Sequence, residues 1–188
     1  MTTTARNGRE ATLAFLGEHQ AGVTPHLFGD LLTHLLGTEA LVRAWGGSEL
    51  LALAALGHAA YGTDGFEDHF LSTEDRPALA AVIGNEAEAL VYFYASCDRD
   101  DFYPQLESGP GSSEPSFRDR FTGDRFSPAR GLVTQFVDLT YANEGELAAS
   151  SPGGAAEWTW LAEFRRGTQH WATPGFAAGL GALLGSDR

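Results

Sequence analysis

With 188 residues and an apolar fraction of 43%, the chain has the size and composition of one globular domain with a full core, which argues against disorder. A formal net charge of −13 repels a nucleic-acid backbone and speaks against a general DNA or RNA binder, although a local arginine cluster leaves a small anion open as a ligand. All twelve basic residues are arginine, so the missing lysine excludes Schiff-base chemistry, ordinary pyridoxal-phosphate catalysis and a Walker A site.

Residues 8–18 read as a first amphipathic helix, and Gly22 followed by Thr24 and Pro25 has the form of a helix start. From His26 to Trp45, the positions Leu27, Leu31, His34, Thr38, Leu41 and Trp45 follow helical spacing and share one face. Gly46 and Gly47 end that helix and Ser48 is placed to cap the next. Residues Leu50 to Ala60 are apolar nearly all round, as in a central buried helix. Tyr61 to Gly65 is a turn. Pro77 to Val82 and Asn85 to Cys97 read as two helices separated near Gly84, and residues 99–128 read as a long loop broken by Pro104, Gly109, Pro115 and Pro128. Gly131 to Leu147 is the last strongly periodic helix, with Leu132, Phe136, Leu139 and Asn143 on one face. A break at 150–154 leads to an aromatic tail (Trp158, Trp160, Phe164, Trp171) and a small Ala/Gly-rich helix. No strand and no repeat is expected.

No apolar run approaches the roughly 20 residues that span a bilayer. The first eight residues lack the apolar middle of a secretory signal. A single cysteine, Cys97, permits no intramolecular disulfide, so the expectation is a cytoplasmic protein with no membrane partner. Abundant Ala, Gly and Arg match the codon bias of a GC-rich bacterial genome.

The chemistry-bearing residues admit paired readings. His34 and His58 sit inside apolar helical patterns 24 residues apart, with polar Asn143 on a third core-facing helix. They read either as hydrogen-bonded core residues or as a shared polar site. There, a neutral imidazole serves as general acid or base and Asn143 orients a substrate carbonyl or amide. Thr38 shares the His34 face and joins the candidate substrate contacts. Tyr61 and Thr63 either line a pocket mouth, with Tyr61 catalytic, or serve the turn. Arg118, Arg120, Arg125 and Arg130 either bind a carboxylate or phosphate, Arg125 and Arg130 foremost, or pair with Asp119 and Asp124. Cys97 reads as a small semi-buried residue rather than a nucleophile. The tail tryptophans pack over the bundle or form a lid.

The order of these elements resembles the HD superfamily of metal-binding helical domains. The segment from Val82 through Gly84 to Leu90 and Val91 is similar to the one that follows the His-Asp pair in stringent-response (p)ppGpp hydrolases. Thr140 to Glu144 is similar to their Lys-Leu-Ala-Asp-Arg helix. The likeness covers roughly residues 26–147, and the His58, Tyr61, Gly62, Thr63 signature resembles a small branch of HD-like domains. It implies an all-α HD-like bundle, one domain over 1–188, with the core at 26–147 and a C-terminal helical extension at 148–188. It also implies metal ligands at His34, His58, Ala59 and Asn143. Both carboxylates of that set are therefore replaced, and the catalytic Glu-Asp pair falls on Tyr61 and Gly62. Two imidazoles and an amide bring no negative charge to a cation. The expectation is thus no metal; if zinc, iron or manganese is held, it is by His34, His58, Asp64 and Asp98, with Glu67, Asp68 or His69 as further donors.

The function so implied is a small-molecule enzyme of bacterial accessory or specialised metabolism, a hydrolase, lyase or isomerase acting on a polar substrate. A non-catalytic ligand- or partner-binding domain and a phosphohydrolase with displaced ligands are the alternatives. Whether His34 and His58 line a cavity or are packed shut separates them.

Overall fold

The computed structural model describes residues 3–66, 69–109 and 114–185, and over these the chain is an all-α helical bundle. Its helices are α1 (Thr3–Glu18), α2 (Leu31–Ala44), α3 (Glu49–Gly57), α4 (Arg76–Ile83), α5 (Asn85–Ala95), α6 (Arg99–Glu107), α7 (Arg130–Ser150), α8 (Thr159–Thr168) and α9 (Pro174–Leu184). The middle of the bundle is α7, in which every residue from Phe136 to Ala148 is buried. It packs on α2, α5 and α9, while α3, buried from Leu51 to Gly57, lies between α2 and α5. Such an all-round apolar helix has no solvent face to offer, so it takes an interior place. No helix among the described residues is long and apolar enough to cross a membrane.

Local chemistry sets the boundaries. Ser48 accepts from the Leu51 amide at 3.2 Å and so caps α3, as its sequence position implies. Gly84, at φ +88°, divides α4 from α5 in a conformation closed to most side chains. The start of α2 differs from expectation. The helix begins at Leu31 rather than His26, because Asp30 accepts from both the amide (2.9 Å) and the hydroxyl (2.7 Å) of Thr33 and makes the better cap. The segment before it folds instead into a two-residue antiparallel pair, β1 (Pro25–His26) with β2 (Gly29–Asp30), which leaves Leu27 66% exposed.

Nor is the 99–128 segment a plain loop. Asp98 caps α6 through the Asp101 amide (3.2 Å), and fully buried Phe102 and Leu106 hold the helix although Pro104 forfeits one backbone bond. A second short pair, β3 (Phe117–Arg118) with β4 (Arg125–Phe126), follows. It brings Phe117 into an aromatic cluster with Phe93 (centroids 4.1 Å), Phe102 (5.2 Å) and, through Phe102, Phe136 (5.4 Å).

The C-terminal helix is tied to α7 by one carboxylate. Asp138 is buried and accepts from the Thr173 amide at 2.9 Å, just before α9. Burial pushes its pKa up from 3.8 to about 6, against the opposing bond from Thr173. The folded protein therefore binds this proton more tightly than the unfolded chain does. Stability from this group is greatest below pH 4 and declines as pH rises from about 4 to about 6. Asp138→Asn keeps an acceptor for Thr173, removes the buried charge, and is expected to add about 2 kcal/mol at neutral pH. Urea unfolding from pH 4 to 7 checks this; a variant no more stable than wild type at pH 7 would sink it.

Candidate functional site

Three helices bring the polar centre together. His34 lies in the first turn of α2, His58 follows the last residue of α3, and Asn143 sits in the buried middle of α7. The His34 Nε2 is 2.8 Å from Asn143 Oδ1 and 3.3 Å from His58 Nε2. Its Nδ1 meets the carboxylate of Glu146, whose other oxygen accepts from Ser150 Oγ at 2.6 Å. The Asn143 amide donates to Glu144 Oε1 at 3.0 Å, which turns its oxygen toward His34. Both ring nitrogens of His34 thus face acceptors, a carboxylate and an amide oxygen. His58 donates its Nδ1 proton to the Ala55 carbonyl (2.8 Å), leaving a lone pair on Nε2. Burial, and then the charge of His34, push the His58 pKa down to about 3, so it stays neutral.

A glycine makes the couple possible. A Cβ on Gly37, one turn beyond His34, would lie 2.6 Å from Glu146 Cγ, so only glycine lets α7 approach closely enough for that carboxylate to reach the ring. Burial raises the proton affinity of Glu146, but the bonds from His34 and Ser150 outweigh it and hold the carboxyl below its ordinary range. Glu144 goes the other way: burial raises it, and Arg99 and His34 only partly oppose the shift.

His34 and His58, only 4% and 2% exposed, line a cavity of about 170 Å³ together with His26, Arg99, Asn143 and Glu144. Thr63, Asp64 and Trp158 complete its polar and aromatic wall. His26, from β1, stacks on His34 at 4.2 Å, and burial followed by the His34 charge lowers its pKa to about 4. Arg99 enters from the start of α6. Its Nη1 is 3.6 Å from Glu144 Oε1, and its carbon centre lies 5.3 Å from the Tyr94 ring and 5.8 Å from that of Tyr103. Its Nε and Nη2 are enclosed with no hydrogen-bond partner among the described residues.

Of the residues marked out by sequence, His34, His58, Ala59, Asn143, Thr63, Asp64 and Trp158 line this cavity, whereas Tyr61, Thr38, Arg125, Arg130 and Asp98 do not. Tyr61 turns away, its hydroxyl donating to Glu88 (3.0 Å) beside Arg76, because the turn after His58 carries it to the α5 side. The Thr38 hydroxyl is spent on the His34 carbonyl, one turn back in its own helix. Arg125 pairs with Asp101 (2.9 Å), and Arg130 donates to the His170 carbonyl and stacks on Trp171. Asp98 caps α6 and pairs with Arg118. The Asp64 carboxylate accepts from the Arg99 amide (2.8 Å). Cys97 is fully buried, with its thiol pushed up by burial. His69 lines a separate surface cleft, and Glu67 and Asp68 lie outside the described residues. Of the tail tryptophans, Trp158 reaches the cavity, whereas Trp171 is bonded to the Leu106 carbonyl.

Sequence reasoning missed Glu146, Glu144, Arg99 and His26. Two acids in the apolar run of α7 were the available signal; Arg99 was hidden in a segment read as loop.

A divalent cation does not fit this donor set. The ring nitrogens of His34 are committed to Glu146 and Asn143, the Asn143 oxygen is neutral, and the Arg99 guanidinium lines the same space. Among the described residues no group of three His, Cys, Asp or Glu is arranged to hold a metal.

The molecule is thus an all-α bundle with a histidine-lined cavity at its centre. Residues 15–99 match the family model described as a domain of unknown function, DUF6817. The match takes in His34, His58 and Arg99 and stops short of α7. No curated protein matches the chain.

Proposed function

We propose that the chain is a small-molecule enzyme that runs acid–base chemistry without a metal, in an HD-like bundle whose ancestral cation site has become a proton-handling cavity. The observation that carries this reading is the Glu146–His34 couple set against His58 and Asn143 on one cavity wall. Environments that push titratable groups apart mark acid and base roles. Here His58 is driven down and Glu144 up. His34, oriented by Glu146, serves as the proton carrier, and its Nε2 is the delivering atom. His58 is too weak a base to take a proton at neutral pH and acts as an acceptor that aligns one. Glu144 is the second proton donor, and Asn143 holds both in register. Hydrolysis, elimination and isomerisation of a small polar substrate all suit this arrangement, and a bacterial, cytoplasmic setting matches the composition.

A non-catalytic binding domain is the second reading, favoured by one observation: every polar atom of His34 is already bonded within the protein. Turnover assays on small esters, amides and hydroxy or oxo acids, run with chelator-treated protein, decide between them. The enzyme reading expects turnover that survives chelation and falls at least about 100-fold in His34→Gln, the scale of a lost general acid. Binding without turnover supports the second reading, and turnover abolished by chelator overturns the metal-free chemistry.

A further inference from the structure

The arginine in the cavity says what kind of ligand belongs there. The Arg99 charge sits among Tyr94 and Tyr103, and the two tyrosine hydroxyls, like Arg99 Nε and Nη2, are enclosed without hydrogen-bond partners among the described residues. Buried donors without acceptors are rare in folded proteins, and a charged one is the most costly. The nearest carboxylate, on Glu144, stops 3.6 Å from Nη1, beyond hydrogen-bond reach, and already accepts from Asn143. The other carboxylate in the wall, on Asp64, takes the Arg99 backbone amide rather than its guanidinium. Arg99 thus lines the cavity with two of its three guanidinium nitrogens short of an acceptor.

We infer that the cavity binds a small organic monocarboxylate, its carboxylate on Arg99 and its remaining polar group toward His34, His58 and Asn143. Three features select that class. An arginine favours a planar oxyanion, which it meets with paired N–H donors. Asp64 in the same wall repels added negative charge, so a monoanion is taken in preference to phosphate, which carries about −1.5 at neutral pH. A volume of about 170 Å³ lies below the range for drug-sized ligands and admits about six to ten non-hydrogen atoms.

This inference rests on reading the cavity as a binding site, and the test separates the two. Acetate, glycolate and pyruvate, their uncharged counterparts acetamide, glycolamide and pyruvamide, glycerol as a neutral polyol, and inorganic phosphate are titrated calorimetrically into the full chain at constant ionic strength. The expected result is that the acids bind at least about 30-fold tighter than the matched amides, the smallest factor for a buried charge-assisted pair. Phosphate does not compete, and Arg99→Gln erases the preference. Should Arg99→Gln fail to fold, the acid-against-amide ratio in wild type decides the matter alone. Amides or glycerol binding as well as the acids overturns the inference and leaves the binding cavity standing. A preference kept in Arg99→Gln, or phosphate binding best, also overturns it. Binding of none of the probes overturns the inference and the cavity reading together.

Discussion

Glu146→Ala is expected to lower the unfolding free energy by about 3–5 kcal/mol, as when one partner of a buried charged pair is removed. The reason lies in the hydrogen-bond accounting at His34, whose two ring nitrogens face Glu146 and Asn143. Without the carboxylate, the buried His34 Nδ1 is left without its partner. Glu146→Gln retains an acceptor and is expected to lose less. The pH dependence has a definite sign. Because the folded pKa of Glu146 lies below its ordinary 4.5, its stabilisation is fully present above pH 4.5 and is lost as pH falls through the folded value. The gap between wild type and Glu146→Gln therefore closes under acid conditions. Gly37→Ala should move in the same direction as Glu146→Ala, since its new methyl group would displace the Glu146 side chain. Denaturant unfolding at pH 7 and pH 4 measures all three. A loss under about 1 kcal/mol for Glu146→Ala, the range of an ordinary neutral hydrogen bond, would overturn the strong pairing of Glu146 with His34.

Phe136→Ala is expected to cost about 3–5 kcal/mol and to lower the melting temperature by about 10 °C for a chain of this size. Phe136 is fully buried in α7 and touches Phe93, Phe102, Tyr94 and Tyr103. The two tyrosines are the rings that surround the Arg99 guanidinium. The cavity left by Phe136→Ala therefore loosens the arginine as well as the core, and the acid-over-amide preference should weaken along with stability. Calorimetric melting combined with the titrations above reads both effects. A variant that melts lower yet keeps the full preference would show that Arg99 is held independently of this cluster.

The opposite signs of Asp138 and Glu146 have one cause. Both carboxylates are buried in α7, and what separates them is the partner. Asp138 finds Thr173, through its amide and its side chain, which does not offset desolvation, whereas Glu146 finds the His34 ring and the Ser150 hydroxyl, which do.

The apolar period of the chain carried the all-α fold. The stretch from Leu51 to Gly57 has nowhere to go but the interior, and Ser48 and Gly84 mark helix ends by chemistry that acts within a few residues. The same period carried the meeting of His34, His58 and Asn143, because each sits on a face that has to turn inward. What the spacing did not hold was anything that depends on a partner distant in the chain. Glu146 reaches a histidine 112 residues away only where Gly37 lets two helices close up. Arg99 reaches the cavity only because Asp98 turns an apparent loop into α6. Tyr61, Thr38, Arg125 and Arg130 looked available to a ligand because a sequence shows which groups a residue carries but not which neighbours have already claimed them. Periodicity is a local property and survives in one dimension. Hydrogen-bond partnership and burial of charge are settled by packing across the bundle, and there the site acquired its arginine and its acids.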